Sequence, residues 1–354
     1  MQARSGIGAD QGVPEPTRFA GAVAKLLIAR FAHSSASTDS TWPAVFLLAP
    51  SISRISGINS PQRVPILNDG SQAVNGKVWF VNAPAASGYF IDYDVADLDE
   101  LFNLVTQSMS LGSVPAIVFN PQASAPEIRV YSKGMSHLDF CDVVSLEDID
   151  ISLEQVYSRI EKVYESCLAT PDAQNPKVKL WVDAAKFWPV SDAEGLVQAQ
   201  LHSALAAAFL TCTVRAEQSM PVGRDDLEIE RPLDRRRPSL VKRLVLIELK
   251  VLRSFTAGGR RISKASELDR ITEGVEQASA YASEKTFQLA TLCCFDMRSA
   301  NAGALSFAHV QEMAGRLNVD LRQWFIYSTS QLRRKDLAAG RSRITRAPGQ
   351  AATP

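Results

Sequence analysis

The run Leu244-Val245-Leu246-Ile247-Glu248-Leu249-Lys250-Val251-Leu252 constrains this chain more than any other stretch, because it sets one acid and one base inside an otherwise apolar segment. Continuous Val/Ile/Leu runs are the pattern of a strand buried on both faces, at the centre of a sheet covered by helices. Side chains alternate along a strand with period two, so Glu248 and Lys250 emerge from the same face. An unpaired buried charge costs several kcal/mol after relaxation, so the two groups must meet each other, a metal or a hydrogen-bond network. A structural ion pair at a strand end and a working site both satisfy that condition.

At 354 residues, 46% of them hydrophobic and 21% charged, the chain is long enough to build two domains with cores of their own. Formal net charge is zero, yet residues 1–190 hold 14 Lys and Arg against 20 Asp and Glu, whereas residues 191–354 hold 24 against 18. Contact with a polyanion therefore belongs to the second half. The cysteines Cys141, Cys167, Cys212, Cys293 and Cys294 show no metal-ligand spacing, and Cys293-Cys294 sit in an apolar strand-like run, the pattern of reduced thiols in a cytoplasmic protein. The apolar segment 20–32 is interrupted by Lys25 and Arg30 and reads as an amphipathic helix, not a targeting peptide. No stretch reaches the roughly 18 uninterrupted apolar residues a membrane span needs, so no membrane contact is expected.

Residues 1–16, polar and rich in Gly and Pro, are expected to form a flexible N-terminus. Residues 17–185 are expected to form an accessory α/β or α+β domain. Its predicted elements are a helix Thr17–His33, strands Ala44–Leu48, Lys77–Val81 and Gly88–Tyr93, a helix Leu98–Ser108 capped by Asp97, strands Val114–Asn120 and Glu127–Ser132, a helix Ile151–Cys167 and a strand Val178–Val182. The acids of Asp92–Glu100 are irregularly spaced and read as a solvated loop and helix start. No catalytic constellation is visible here, which leaves this half to recognise a partner, a signal or a DNA feature, or to mediate dimerisation.

Residues 186–330 carry the chemistry. A helix from Ala193 to Phe209 places Glu194, Gln198 and His202 on one face and Leu201, Leu205 and Phe209 on its packed stripe. A polar helical stripe is ordinarily a wet side. A hairpin follows, Cys212–Gln218 against Arg224–Glu230 across the turn Ser219–Gly223, and a basic connection over 231–243 leads into the central strand. Thr256–Arg261 reads as a flexible basic loop, and the helix beginning near Ser266 sets Gln277 and Tyr281 one turn apart. Strands Gln288–Phe295 and Asp320–Tyr327, with a helix Phe307–Leu317 between them, complete the unit. Residues 331–354 are basic, poor in apolar side chains and expected to be disordered.

Helix with acid, hairpin with acid, strand with Glu-x-Lys and helix with Gln-x-x-x-Tyr, in this order, resemble the PD-(D/E)XK nuclease superfamily, the restriction-endonuclease-like fold, in its Gly-Arg-x-Asp version. The matching residues are Glu194, Gly223-Arg224 with Asp226-Leu227, Glu248-Leu249-Lys250, and Gln277 with Tyr281; Glu217 is also similar to related members. The resemblance covers about residues 186–330. The family's proline is absent, since Asp225 stands before Asp226, and Asp226 is preferred because it fits the Gly-Arg-x-Asp spacing.

The resemblance implies an α/β core, a mixed central sheet flanked by helices, that hydrolyses phosphodiester bonds with Mg2+ or Mn2+. Asp226 and Glu248 would be the main metal ligands, with Glu194 completing the shell directly or through water. Lys250 would orient or help deprotonate the attacking water. Gln277 would hold the lysine, water or phosphate, and Tyr281 would support that face or touch the DNA backbone. Carboxylate oxygens suit a hard cation, and phosphoryl transfer needs both an activated water and stabilisation of developing charge. Arg224, Arg235, Arg236, Arg237, Arg253, Arg260 and Arg261 surround this region and could neutralise phosphates without reading bases.

The expected function is a divalent-metal-dependent DNA endonuclease, a restriction or phage-defence effector, with RNA as substrate and a homodimeric state left open. The competing expectation is a nuclease-fold protein that binds nucleic acid or a protein partner without cutting. A small-molecule enzyme built on the first half lacks a Gly-rich phosphate loop after a strand.

Overall fold

The computed structural model describes residues 13–32, 41–49, 61–67, 72–93, 97–146, 151–175, 177–220, 223–232, 241–339 and 344–346. The first half folds on a seven-stranded sheet. Helix α1 (Glu15–Ala32) is followed by β1 (Ala44–Leu48), β2 (Gln62–Val64), β3 (Lys77–Val81) and β4 (Gly88–Asp92). Helix α2 (Leu98–Asn103), N-capped by the Asp97 carboxylate, which accepts from Asp99 N at 3.1 Å, passes into a π-helical turn at Leu104–Ser108. Strands β5 (Ala116–Phe119), β6 (Glu127–Tyr131) and β7 (Cys141–Ser145) complete the sheet in the order β2-β4-β3-β1-β5-β6-β7. β1 and β3 pair in parallel and the other neighbours antiparallel. The apolar runs of β1 and β3 are explained by helices on both sides: α1 packs Phe19 and Val23 in one core with Phe46 and Trp79, while Leu101 and Val105 share another with Val45 and Phe80.

The second half is a three-layer unit. Helix α3 (Leu153–Val163) carries a capping box, in which Ser152 Oγ accepts from Gln155 N at 3.3 Å and Gln155 Oε1 accepts from Ser152 N at 2.9 Å. A small pair of strands follows, β8 (Trp181–Asp183) and β9 (Trp188–Pro189), and then α4 (Ala193–Ala208). The hairpin β10 (Thr213–Met220) and β11 (Gly223–Pro232) leads to the long strand β12 (Val241–Arg253), then α5 (Lys264–Lys285), β13 (Leu289–Met297), α6 (Gln311–Arg316), β14 (Val319–Phe325), α7 (Ser330–Ala338) and β15 (Ile344–Arg346). The sheet order is β10-β11-β12-β13-β14-β15; β12, β13 and β14 are mutually parallel and the remaining pairs antiparallel. Odd-numbered β12 side chains from Val245 to Val251 pack in one core with α3 and α4, and Leu252 packs in another with Ile271, Val275 and Ala278 of α5. The central run is apolar on both sides because each face meets a helical layer.

Three expectations are corrected by the fold. The boundary at 185/186 falls too late, because Ile151, Val156, Tyr157, Ile160 and Tyr164 already belong to the core of the second sheet. The Tyr157 hydroxyl pins α3 to that sheet through Thr291 Oγ1 and Asp320 Oδ1, both at 2.7 Å. Residues 331–354 are not wholly a loose tail: the Thr329 hydroxyl caps α7 by accepting from Leu332 N at 3.1 Å, Arg333 pairs with Glu165, and β15 adds to the free edge of β14. The single helix expected over Phe307–Leu317 is a 3-10 turn at Gly303–Phe307 followed by the shorter α6. Cys212, Cys293 and Cys294 are buried free thiols. Among the described residues no helix is long and apolar enough to cross a membrane.

Replacing Tyr157 by Phe should cost about 1–3 kcal/mol, since it strips two partners of a buried hydroxyl network. Urea unfolding followed by tryptophan fluorescence measures it, and an unchanged midpoint would mean that α3 is not anchored to the second sheet.

Candidate active site

The site forms where β11 leaves β12. Their ladder runs to Leu227↔Ile247, and one further step would set Asp226 opposite Glu248. Leu227 and Ile229 turn toward α4 with Ile247, so alternation turns Asp226, Glu228 and Glu230 to the α5 side, with Glu248 and Lys250. Past that point the amides of β12 that would have faced β11 are taken by carboxylates. Asp226 Oδ2 accepts from Leu249 N at 2.7 Å, Glu194 Oε2 from Val251 N at 2.8 Å, and Glu267 Oε2 from Arg253 N at 2.8 Å. Three acids from three elements thus cap alternate residues of one strand edge.

Glu248 is 2% exposed, and its Oε1 accepts from Lys250 Nζ at 2.6 Å. Its other oxygen, Oε2, is buried and has no hydrogen-bond partner among the described residues. The aliphatic stem of Lys250 lies against α5 at Gly274, where a Cβ would stand 3.3 Å from Lys250 Cγ and 2.8 Å from Leu292 Cδ1; a side chain there would push the helix off the site. One turn further along α5, Gln277 presents a buried Oε1 that also has no partner among the described residues. Tyr281, at 1% exposure, supports the packing of α5 and is not available to a nucleic-acid backbone.

Burial and then the Asp226 carboxylate push the Glu248 carboxyl up to about 8, with Glu194 adding to the rise and Lys250 opposing it. Burial alone would lower the Lys250 ammonium, but Glu248, Asp226 and Glu194 together carry it above the usual lysine value. Lys250 therefore keeps its proton, and Glu248 gives up its own reluctantly. Two of the hairpin acids are matched by cations: Glu228 pairs with Lys285 of α5, and Glu230 with Arg215 Nε at 2.8 Å and Arg243 Nε at 3.4 Å.

Glu194 is paired with an arginine of α5. Its Oε2 accepts from both Val251 N and Arg270 Nη2, the latter at 2.8 Å. Gln198, one turn along α4, donates from Nε2 to Asp226 O at 2.7 Å, and the His202 ring nitrogen Nε2 lies 3.2 Å from Val214 O. The polar stripe of α4, on a helix ordinarily a wet side, faces the hairpin here, with Gln198 and His202 buried. Arg270, Gly274, Gln277 and Tyr281 form one stripe of α5; extending the Gln-x-x-x-Tyr spacing backward by one and two turns would have found the first two.

Of the expected phosphate-binding residues, Arg260 and Arg261 are exposed. Their loop is a closed turn rather than a flexible one: Thr256 N donates to Arg260 O at 2.9 Å, Gly259 N to Thr256 O at 3.0 Å, and Gly259, at φ +80, packs where a Cβ would strike the Trp188 ring. Arg253 follows Leu252 at the end of β12, its amide on Glu267. Arg235, Arg236 and Arg237, and the side chain of Arg224, lie outside the described residues.

Among the described residues no three His, Cys, Asp or Glu side chains converge as a ready metal cage. The donors nevertheless fit a hard cation: Glu248 Oε2 is an orphaned buried oxygen, and the Asp226 carboxylate already acts electrostatically on Glu248. Mg2+ keeps several waters and takes only one or two carboxylates when a phosphate supplies the rest. Comparison with protein-family models, curated proteins and solved structures gave no match.

The Glu248 carboxyl is raised above its ordinary 4.5 to about 8, so the folded protein holds that proton more tightly than the unfolded chain. The stability it contributes is fully present below the ordinary value and is lost as pH climbs through the raised one. Metal-free protein should therefore lose stability between about pH 5 and about pH 8, and Glu248→Gln should flatten that slope whatever its absolute stability. Thermal melts across this range in EDTA would show it; parallel slopes for both proteins would contradict the assignment.

Proposed function

We propose that the chain is a divalent-metal-dependent endonuclease that hydrolyses DNA phosphodiester bonds, its second half being a restriction-endonuclease-like core. The observation that carries this reading is the buried Glu248–Lys250 pair on the α5-facing side of the central strand, with a spare Glu248 oxygen where Asp226 leaves the ladder. A costly buried pair beside a second carboxylate is a poor structural choice unless it is used, because a hydrophobic pair would serve packing as well or better.

Bound Mg2+ or Mn2+ would acidify a water and offset charge on the phosphoryl oxygens. Asp226 and Glu248 would hold the ion, with Glu194 beside them. Lys250, kept protonated by the surrounding acids, would orient the water and stabilise the charge that develops during attack. Gln277 has a free carbonyl oxygen for the water or the ammonium. Arg260 and Arg261, exposed on a tight turn, would neutralise phosphates and set the duplex in register without reading bases. The first half would recognise a partner, a signal or a DNA feature, or pair two copies, in a cytoplasmic restriction or defence role.

One observation favours a second reading, a nuclease-fold protein that binds without cutting. Lys250 and Arg270 already neutralise two of the three acids, and no three-acid cage stands among the described residues. Incubation of plasmid and linear DNA with Mg2+ or Mn2+ separates the two. Cleavage should be abolished by EDTA and should fall by about 100-fold or more in Asp226→Ala, Glu248→Ala and Lys250→Ala, the scale expected for loss of a metal ligand or acid–base group. DNA retention without cleavage would support the binding reading, and equal cutting by the variants would sink the site.

A further inference from the structure

The three carboxylates on the open edge of β12 do different work, although all sit within one patch of negative charge. We propose that Arg270 locks Glu194 as a clamp on the central strand, so that Glu194 acts as a positioning residue and not as a ligand of the cation. This rests on the nuclease reading for the identity of the ion, but the clamp itself stands on geometry.

Beyond Leu227 no strand among the described residues pairs with this edge, and Asp226, Glu194 and Glu267 take its place by accepting from Leu249, Val251 and Arg253 in turn. The Glu194 oxygen that holds Val251 is the same one that Arg270 Nη2 grips at 2.8 Å. That oxygen is doubly engaged, by one amide and one guanidinium, whereas Glu248 and Glu267 each keep a buried oxygen with no partner among the described residues. Arg270 also acts electrostatically on Glu267, the next cap along the same edge. A planar, permanently charged guanidinium holds Glu194 without a proton to lose, which a lysine would do less well. Lys250 lies between Leu249 and Val251, so the clamp sets the backbone on one side of the lysine and Asp226 on the other. The cation nearest Glu194 is therefore already in the protein.

The test uses the full chain. Mn2+ binding is measured by calorimetry for wild type, Glu248→Gln and Glu194→Gln, and amide exchange at Val251 is followed in wild type, Arg270→Met and Arg270→Lys, with and without Mn2+. Glu248→Gln should weaken Mn2+ by about tenfold or more, while Glu194→Gln should stay within about threefold of wild type. Arg270→Met should speed exchange at Val251 by about tenfold, with partial rescue in Arg270→Lys, and Mn2+ should leave the wild-type amide protected. The proposal is overturned if Glu194→Gln loses Mn2+ as severely as Glu248→Gln, or if Mn2+ deprotects Val251 by drawing the carboxylate away. A wild-type chain that does not take up Mn2+ overturns the metal reading alone. The clamp is then judged on the metal-free protein, where unchanged exchange in both Arg270 variants overturns it.

Discussion

The parting of β11 from β12 after Leu227 is the constraint on which the second half depends. A strand edge buried between two helical layers cannot leave its amides unpaired, since each would cost about 1–3 kcal/mol. Carboxylates supplied by β11, α4 and α5 meet that need at Leu249, Val251 and Arg253. The solution brings its own difficulty, because acids drawn to one edge concentrate negative charge in a partly dry place. Lys250 and Arg270 answer part of it, while burial first and then the Asp226 carboxylate hold the Glu248 carboxyl above its ordinary value. A site that wants one more positive charge follows from backbone bookkeeping before any chemistry is invoked.

The layers around this edge explain how a charged pair survives in an apolar strand. Gly274 lets α5 approach closely enough to cover the lysine stem, and Leu292 of β13 fills the space beside it. On the opposite face α4 supplies Gln198 to hold the Asp226 backbone and Glu194 to reach across the gap, so both layers contribute to one edge. Helix α3 packs on that same face and is tied to β13 and β14 through Tyr157. The first half is built separately around β1 and β3; Lys25 Nζ, donating to Thr213 Oγ1 at 3.2 Å, links α1 to the start of the hairpin.

Several elements were legible from residue pattern alone. The run around Glu248 read as a doubly covered strand, and period two put Glu248 and Lys250 on one face, as found. The helix from Ala193 and the strands at Ala44–Leu48 and Lys77–Val81 followed from periodicity and burial. Local spacing shows that Glu194, Gln198 and His202 of α4 share a face, but whether that face meets water or the hairpin is decided by packing, which buries Gln198 and His202. Arg270 went unnoticed for the same reason: on its own helix it is one of several charged positions, and its partner stands far away along the chain.

The sequence by itself determined which segments would be buried, which side chains would share a face and where charge would be trapped among apolar residues, since these depend on periodicity and on the cost of desolvation within a few neighbours. Only the tertiary structure decided which acid serves the backbone, which pairs with an arginine and which keeps an oxygen free. Those roles depend on where β11 parts from β12 and on which helix covers the gap, and that geometry arises between segments distant in the chain.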